Sequence, residues 1–412
     1  MVENMLDQYE QVVGPGAIFQ LKQLAGALRG AKVVHVNSTR QGGGVAEILD
    51  RLVPLQRELG LDSSWEVISG DEEFYECTKS FHNALQGNRV DIAQALVRVF
   101  EENNRRNAEI LRNALVDADY VFIHDPQPLP LLRYIGGRKG KWIWRCHIDV
   151  SHPYRPVWRY LREFVGEFDA TVWSLADFAQ PLPHPAYIIA PSIDPLSEKN
   201  RELDPCEIHT VYSKYGLDPE RPLLVQVSRF DRFKDPLGVI RAYMMVRDYT
   251  PLQLVLAGGS ATDDPEGEII LEEVRAAAVD PNIHVLLLPP DAHHTINALQ
   301  RAATIILQKS IREGFGLTVT EAMWKGKPVI GGNTGGIRLQ VFDHYTGFRV
   351  STPEGAALRI RYMLKRPDSL EQMGARAKKF VLDNFLLTRQ LREYLTLMLT
   401  AIHEPLDRIE LP

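Results

Sequence analysis

Two glutamates eight positions apart, Glu313 and Glu321, enclose the stretch EGFGLTVTE. The glycines between them, Gly314 and Gly316, let backbone amides approach a ligand closely. A helix expected to begin near Phe315 or Gly316 would turn the amides of Gly316, Leu317 and Thr318 outward at its positive end. An anionic phosphate fits there, with a carboxylate on either side to hold sugar hydroxyls. A glutamate pair at this spacing arises by chance roughly once in a chain this rich in Glu, so the glycines and the apolar Met323 and Trp324 behind them carry the specificity. A second segment, SRFDRFKDP, sets Arg229 and Lys234 in a loop beside a helix start marked by Asp235 and Pro236. Paired cations there suit a diphosphate, although basic loop residues are also commonly just solvated.

Three further segments place polar groups after apolar runs. NSTRQGGG, Asn37 to Gly44, contains Arg40 and ends in Gly42, Gly43 and Gly44 before a helical pattern. It suits a phosphate or a simple tight turn, and it matches neither GxGxxG nor a P-loop. HDPQ brings Asp125 and Gln127, groups fit for hydroxyls. HIDVSH crowds His147, Asp149 and His152, but without a fourth ligand or an HExxH pattern it suits hydrogen bonding in a cleft better than zinc. His293 and His294, at a helix start, read as surface.

The elements that must position these groups are short β-rich runs separated by helical patterns, the mark of parallel strands with crossover helices. In the first half they fall at 32–36, 65–69, 120–124, 141–147, 170–173 and 187–190. In the second half they fall at 223–228, 252–257, 283–288, 305–308, 328–331 and 348–350. Several are apolar on both faces, as in sheets covered on both sides. Two doubly wound α/β domains are expected, and ligands in such sheets gather at the carboxyl ends of strands, where the segments above lie. PSIDPLSEKNRELDP, 191–205, has the composition of a connector, so the boundary is expected near Asn200, with residues 1–199 and 386–412 in one domain and 200–385 in the other. Pro54 is expected to kink or end the helix it interrupts. In the last helix Leu391, Tyr394, Leu395, Met398 and Leu399 form an apolar face that must pack on something.

Composition narrows the classes. At 45% hydrophobic the 412-residue chain forms cores, and it has no uninterrupted apolar run long enough to span a membrane. With 47 basic and 53 acidic side chains the net charge is −6, which argues against a nucleic-acid partner; an anionic ligand must be held by a local site. The polar, acidic amino terminus lacks the pattern of a secretory signal, so a cytoplasmic location is expected. Cys77, Cys146 and Cys206 fit no disulfide or zinc pattern and are expected as reduced thiols.

Together SRFDRFKDP, EGFGLTVTE, the following GGNTGGI and the glycine-rich first loop resemble the retaining nucleotide-sugar glycosyltransferases of GT-B architecture, over nearly the whole chain. HVNSTRQGGGVAEIL, HDPQPLPLL, WRCHIDVS and APSIDPLSEKN resemble the trehalose synthase branch of that superfamily. The resemblance implies two Rossmann-like domains facing across a cleft, with the last helix returning to the first. It implies reversible transfer of glucose from a nucleoside diphosphate glucose, UDP or ADP, to free glucose, with no prosthetic group and no obligatory metal. Arg229 and Lys234 would bind the diphosphate, helped by Gly314, Phe315, Gly316, Leu317 and Thr318 and by Gly43 and Gly44. Glu313 would hold donor sugar hydroxyls and Glu321 the ribose. His147 would meet the reacting sugar, and Asp125, Gln127 and Arg40 the acceptor. A homodimer is the default assembly. Trehalose phosphorylase, a non-catalytic sugar binder and an epimerase on the same fold are the alternatives.

Overall fold

The computed structural model describes residues 4–40, 44–259 and 265–402. Among these, twelve strands fall on the expected runs: β1 Lys32–Asn37, β2 Asp62–Val67, β3 Tyr120–His124, β4 Lys141–Cys146, β5 Ala170–Trp173, β6 Ala186–Ile188, β7 Leu223–Val227, β8 Gln253–Gly258, β9 Ile283–Leu287, β10 Ile305–Gln308, β11 Val329–Gly332 and β12 Gly347–Val350. β2 starts earlier than its apolar residues suggest. Asp62 to Ser64 pair with Lys32 to Val34 of β1, so the ladder recruits polar residues that hydrophobic patterning passes over.

Every strand pairing is parallel, in two separate sheets ordered β2-β1-β3-β4-β5-β6 and β12-β11-β10-β7-β8-β9. The order reverses between β1 and β3 in the first sheet and between β7 and β10 in the second. Such switch points open a crevice outside the strand ends, because the crossover helices on either side lie on opposite faces. β3, β7 and β8 are buried throughout, as helix-covered strands must be.

The chain divides into two compact units, Met1–Pro191 with Leu387–Pro412, and Ser192–Leu386. The division at Pro191 corrects the expected boundary at Asn200. The proline-rich segment is fastened into the second unit: Asn297 Nδ2 donates to the carbonyls of Glu198 and Arg201, and Trp324 Nε1 to that of Asn200. Ile193 N also donates to Phe385 O. At the other junction the change falls at Leu386/Leu387, one residue later than expected. The final helix, Leu387–Ile402, belongs to the first unit. Leu391, Tyr394, Leu395 and Met398 are fully buried there, and Tyr120 Oη donates to Met398 O at 2.9 Å.

The helix Gly44–Glu58 continues past Pro54 rather than ending there. A proline in a helix interior costs about 3 kcal/mol. Here Leu49, Leu52, Val53 and Leu55 are all buried, and packing that face outweighs the loss of one backbone bond.

Candidate active site

In the second unit the loops after β7 and β10, neighbours at the switch point, bring together residues 79 positions apart. Lys234 Nζ lies 2.8 Å from both carboxylate oxygens of Glu313. Ser310 Oγ donates to Glu313 Oε2 at 3.0 Å. Lys234 is itself fixed through its backbone: Gln226 Nε2 donates to its carbonyl at 2.9 Å. The next residue, Asp235, adopts a left-handed conformation (φ 49°), caps the helix Pro236–Arg247 by accepting from Gly238 N, and pairs with the buried Lys309. Arg229 is held differently. Its side chain is 62% exposed and its guanidinium touches Asp231 Oδ2 at 3.3 Å, so it remains free to swing onto a ligand.

The helix Leu317–Trp324 begins at Gly316, left-handed at φ 85°. Its ladder opens with the amides of Val319 and Thr320 on Gly316 O, which leaves the Leu317 and Thr318 amides outside the helix's own bonding. Gly335 and Gly336 press against this turn. A Cβ on Gly335 would stand 1.7 Å from Glu313 O, and Gly336 N donates to Gly314 O at 2.8 Å. The buried Gln340 completes the support, with Nε2 donating to Phe315 O at 2.8 Å and Oε1 accepting from Thr320 Oγ1 at 2.6 Å. Glu321, in the second turn, is buried with Lys199 Nζ 3.7 Å away. Lys325 donates to Glu321 O and Asn200 Oδ1, and burial pulls its ammonium down to about 7.

In the first unit Asp125, at the end of β3, is left-handed at φ 62° and accepts from His147 N at 2.7 Å. Burial raises its carboxyl to about 6, partly opposed by that bond and by Arg145. His147 Nε2 lies 3.0 Å from His124 Nδ1. His147 is therefore bonded to another imidazole rather than grouped with Asp149 and His152; Asp149 accepts from Ser151. Among the described residues no cluster of His, Cys, Asp and Glu is arranged for a metal. Gln127 is half-buried, and Asn104 Nδ2 donates to its carbonyl. Arg40 stacks over Trp65 of β2 at 4.5 Å and donates to Trp65 O, so it is occupied by the neighbouring strand. Gly44 opens a helix, whereas Gly43 lies outside the described residues.

His293 and His294 are half-buried at the helix start; His294 keeps 42% of its side chain exposed, with Glu207 Oε1, which also pairs with Arg201, 3.1 Å from its Nε2. The cysteines are free thiols, Cys77 and Cys146 buried and Cys206 exposed. Sequence reading passed over His35, Gln56, His124, Ser310, Gln340 and Lys199. His35 and His124 lie in apolar runs and read as core, and the others lack any local pattern.

Two doubly wound parallel sheets, each with a switch point, make up the GT-B fold. Solved structures share that fold: an α,α-trehalose-phosphate synthase (UDP-forming) from Burkholderia xenovorans at TM-score 0.72 and 15% identity, covering 90% of this chain and 100% of that one. A sucrose-phosphate synthase from Thermosynechococcus elongatus follows at 0.70 and 14%, covering 90% and 99%. In sequence, residues 35–180 match the family model "Trehalose synthase, N-terminal domain" and residues 209–380 match "Glycosyl transferases group 1". A trehalose synthase from Pyrococcus horikoshii is 45% identical over 402 residues, 96% of each chain. One from Rubrobacter xylanophilus is 43% identical over 399, 95% of this chain and 96% of that one. The chain belongs to the trehalose synthase family of glycosyltransferases.

Proposed function

We propose that this enzyme moves a glucosyl group reversibly from a nucleoside diphosphate glucose, with uridine or adenosine as the base, to free glucose, forming trehalose with retained configuration. The Lys234–Glu313 pair beside the Gly316 helix start carries the reading. An ammonium has three N–H donors. Two are satisfied by Glu313, and the third is available to a phosphate oxygen. Arg229 adds a mobile second cation, and the Leu317 and Thr318 amides add neutral donors. As the bond from C1 to the diphosphate oxygen breaks, negative charge grows on that oxygen, and donors already in place stabilise it without reorganising. The acceptor hydroxyl oxygen bonds to C1 from the same face and gives its proton to the departing phosphate oxygen.

Glu313 is poorly suited to attack C1. Lys234 and Ser310 occupy both of its oxygens, so holding hydroxyls fits it better than nucleophilic catalysis. In the same reading Glu321 takes ribose hydroxyls with Lys199 as counter-charge, and Gly43 and Gly44 assist the diphosphate. His147, Asp125, Gln127 and Arg40 serve the two sugars, Arg40 after leaving Trp65. No step calls for a metal.

The test is product analysis by proton NMR with UDP-glucose or ADP-glucose and free glucose, with and without EDTA. A non-reducing disaccharide with a single α,α linkage, released with nucleotide and undiminished by EDTA, is expected. A requirement for glucose 1-phosphate in place of the nucleotide sugar overturns the donor assignment, and activity lost to EDTA and restored by magnesium overturns the metal-free mechanism. The distinction is pertinent, since a trehalose phosphorylase from Pleurotus pulmonarius is 30% identical over 84% of this chain and 54% of its own length.

A further inference from the structure

Three histidines climb diagonally across neighbouring strands toward the carboxyl ends of the first sheet. His35 of β1 is in register with Phe122 of β3, and His124 with Arg145 of β4, while His147 lies two residues beyond Arg145. Alternation along strands then puts all three rings on one face, each two residues nearer the carboxyl end than the last. The rings are joined head to tail. His35 Nδ1 is 3.2 Å from His124 Nε2, and His124 Nδ1 is 3.0 Å from His147 Nε2. The inner end stops at Gln56, whose Oε1 is 3.1 Å from His35 Nε2. Phe122 stacks on His35 at 4.9 Å, with Tyr394 of the last helix 6.2 Å from the same ring. His35 and His124 are buried, and His147 at the outer end is half-buried.

We propose that His124, His35 and Gln56 are positioning residues that fix the tautomer of His147, so that its Nδ1 meets a sugar hydroxyl as a hydrogen-bond acceptor. The chain follows from counting protons. Burial lowers His35 to about 4 and holds His124 and His147 well below the usual range, with the buried Arg145 guanidinium acting in the same direction on the latter two. A neutral imidazole has one N–H and one lone pair. Gln56 Oε1 can only accept, so His35 carries its proton on Nε2 and accepts at Nδ1. His124 must then be protonated on Nε2, and by the same step so must His147. Nδ1 of His147 is left with a lone pair at the strand end.

The orientation of the Gln56 amide sets the direction of the whole chain. The amide's Nε2 is buried without a partner. An unsatisfied buried donor costs about 1–3 kcal/mol, so the position would be more stable with an apolar residue unless the amide oxygen were needed. The bonded rings also polarise one another, which strengthens the preference for a single direction.

The inference rests on the reading that His147 meets the reacting sugar, and the experiment separates the two. Long-range proton–nitrogen NMR of the full-length protein labelled on histidine, at about pH 7.5, reads the tautomer without substrate. His147, assigned through His147→Ala, is expected to show a protonated Nε2 and a bare Nδ1. Gln56→Leu should average the His147 shifts and lower kcat about 10- to 100-fold, while KM for the nucleotide sugar moves less than about twofold. Gln56→Glu keeps an acceptor and should restore both the shifts and most of the rate. A protonated Nδ1 in the parent protein, or unchanged shifts and kcat in a folded Gln56→Leu variant, overturns the relay. Normal turnover by His147→Ala overturns the sugar contact alone, because the tautomer result does not depend on it.

Discussion

Arg229 and Lys234 are both cations of the second switch point, yet they should respond differently to removal. Arg229 is largely solvated, so Arg229→Ala should leave the melting temperature within about 1 °C while lowering turnover about 100-fold. Lys234→Ala should lower turnover at least as much and also cost about 1–3 kcal/mol in chemical denaturation, because Glu313 loses its ammonium partner and, among the described residues, keeps Ser310. Near-normal turnover in either variant removes the diphosphate site. Asp125 makes a prediction in pH. Its folded carboxyl titrates near 6 against an ordinary 3.8 because burial penalises the charge. The folded protein therefore holds that proton more tightly than the unfolded chain. The resulting stability is complete below the unfolded value and is lost as pH rises through the folded one. Asp125→Asn, which still accepts from His147 N and carries no charge, should gain stability relative to the parent between about pH 4 and 7, measured by urea denaturation across that window. A difference that stays flat with pH contradicts the buried, raised carboxyl.

At the scale of elements, the Glu313 to Gly316 turn is shaped from behind by the short helical segment Gly335–Leu339. Gly335 is left-handed at φ 46° and backs onto the carbonyls of Glu313 and Gly314. Gly335→Ala should displace that turn and weaken binding of the nucleoside diphosphate at least about tenfold by calorimetry, with Lys234 untouched. Unaltered affinity in a folded variant means the turn does not hold the phosphates. The helix Leu317–Trp324 was legible beforehand because a glycine start and an apolar body are local properties. Its support was not, since Gln340 reaches Phe315 from 25 residues away and bears no mark in its neighbourhood. Similarly, the 191–205 segment has the composition of a connector, but Asn200 and its neighbours bond to Asn297, Trp324 and Lys325, and no local pattern anticipates a linker sewn into one unit.

At the scale of the whole molecule, the final helix returns to the unit that opens the chain and packs Tyr394 beside His35 and Phe122. A chain ending at Leu386 should lose the cooperative melting of the first unit while the second still unfolds as one transition in calorimetry. Two intact transitions would show that the helix is dispensable. Most strands could be read from sequence because they bury a short apolar run, β3, β7 and β8 on both faces. So could the chemistry of Arg229, Lys234, Glu313 and the glycine-started helix, because residue type and spacing along one loop determine it. Only the tertiary structure decided which loops are neighbours, since strand order at a switch point depends on the crossovers rather than on any strand's own residues. It alone set Lys234 against Glu313, occupied Arg40 with Trp65, and joined His35, His124 and His147 through a register that no spacing along the chain reveals.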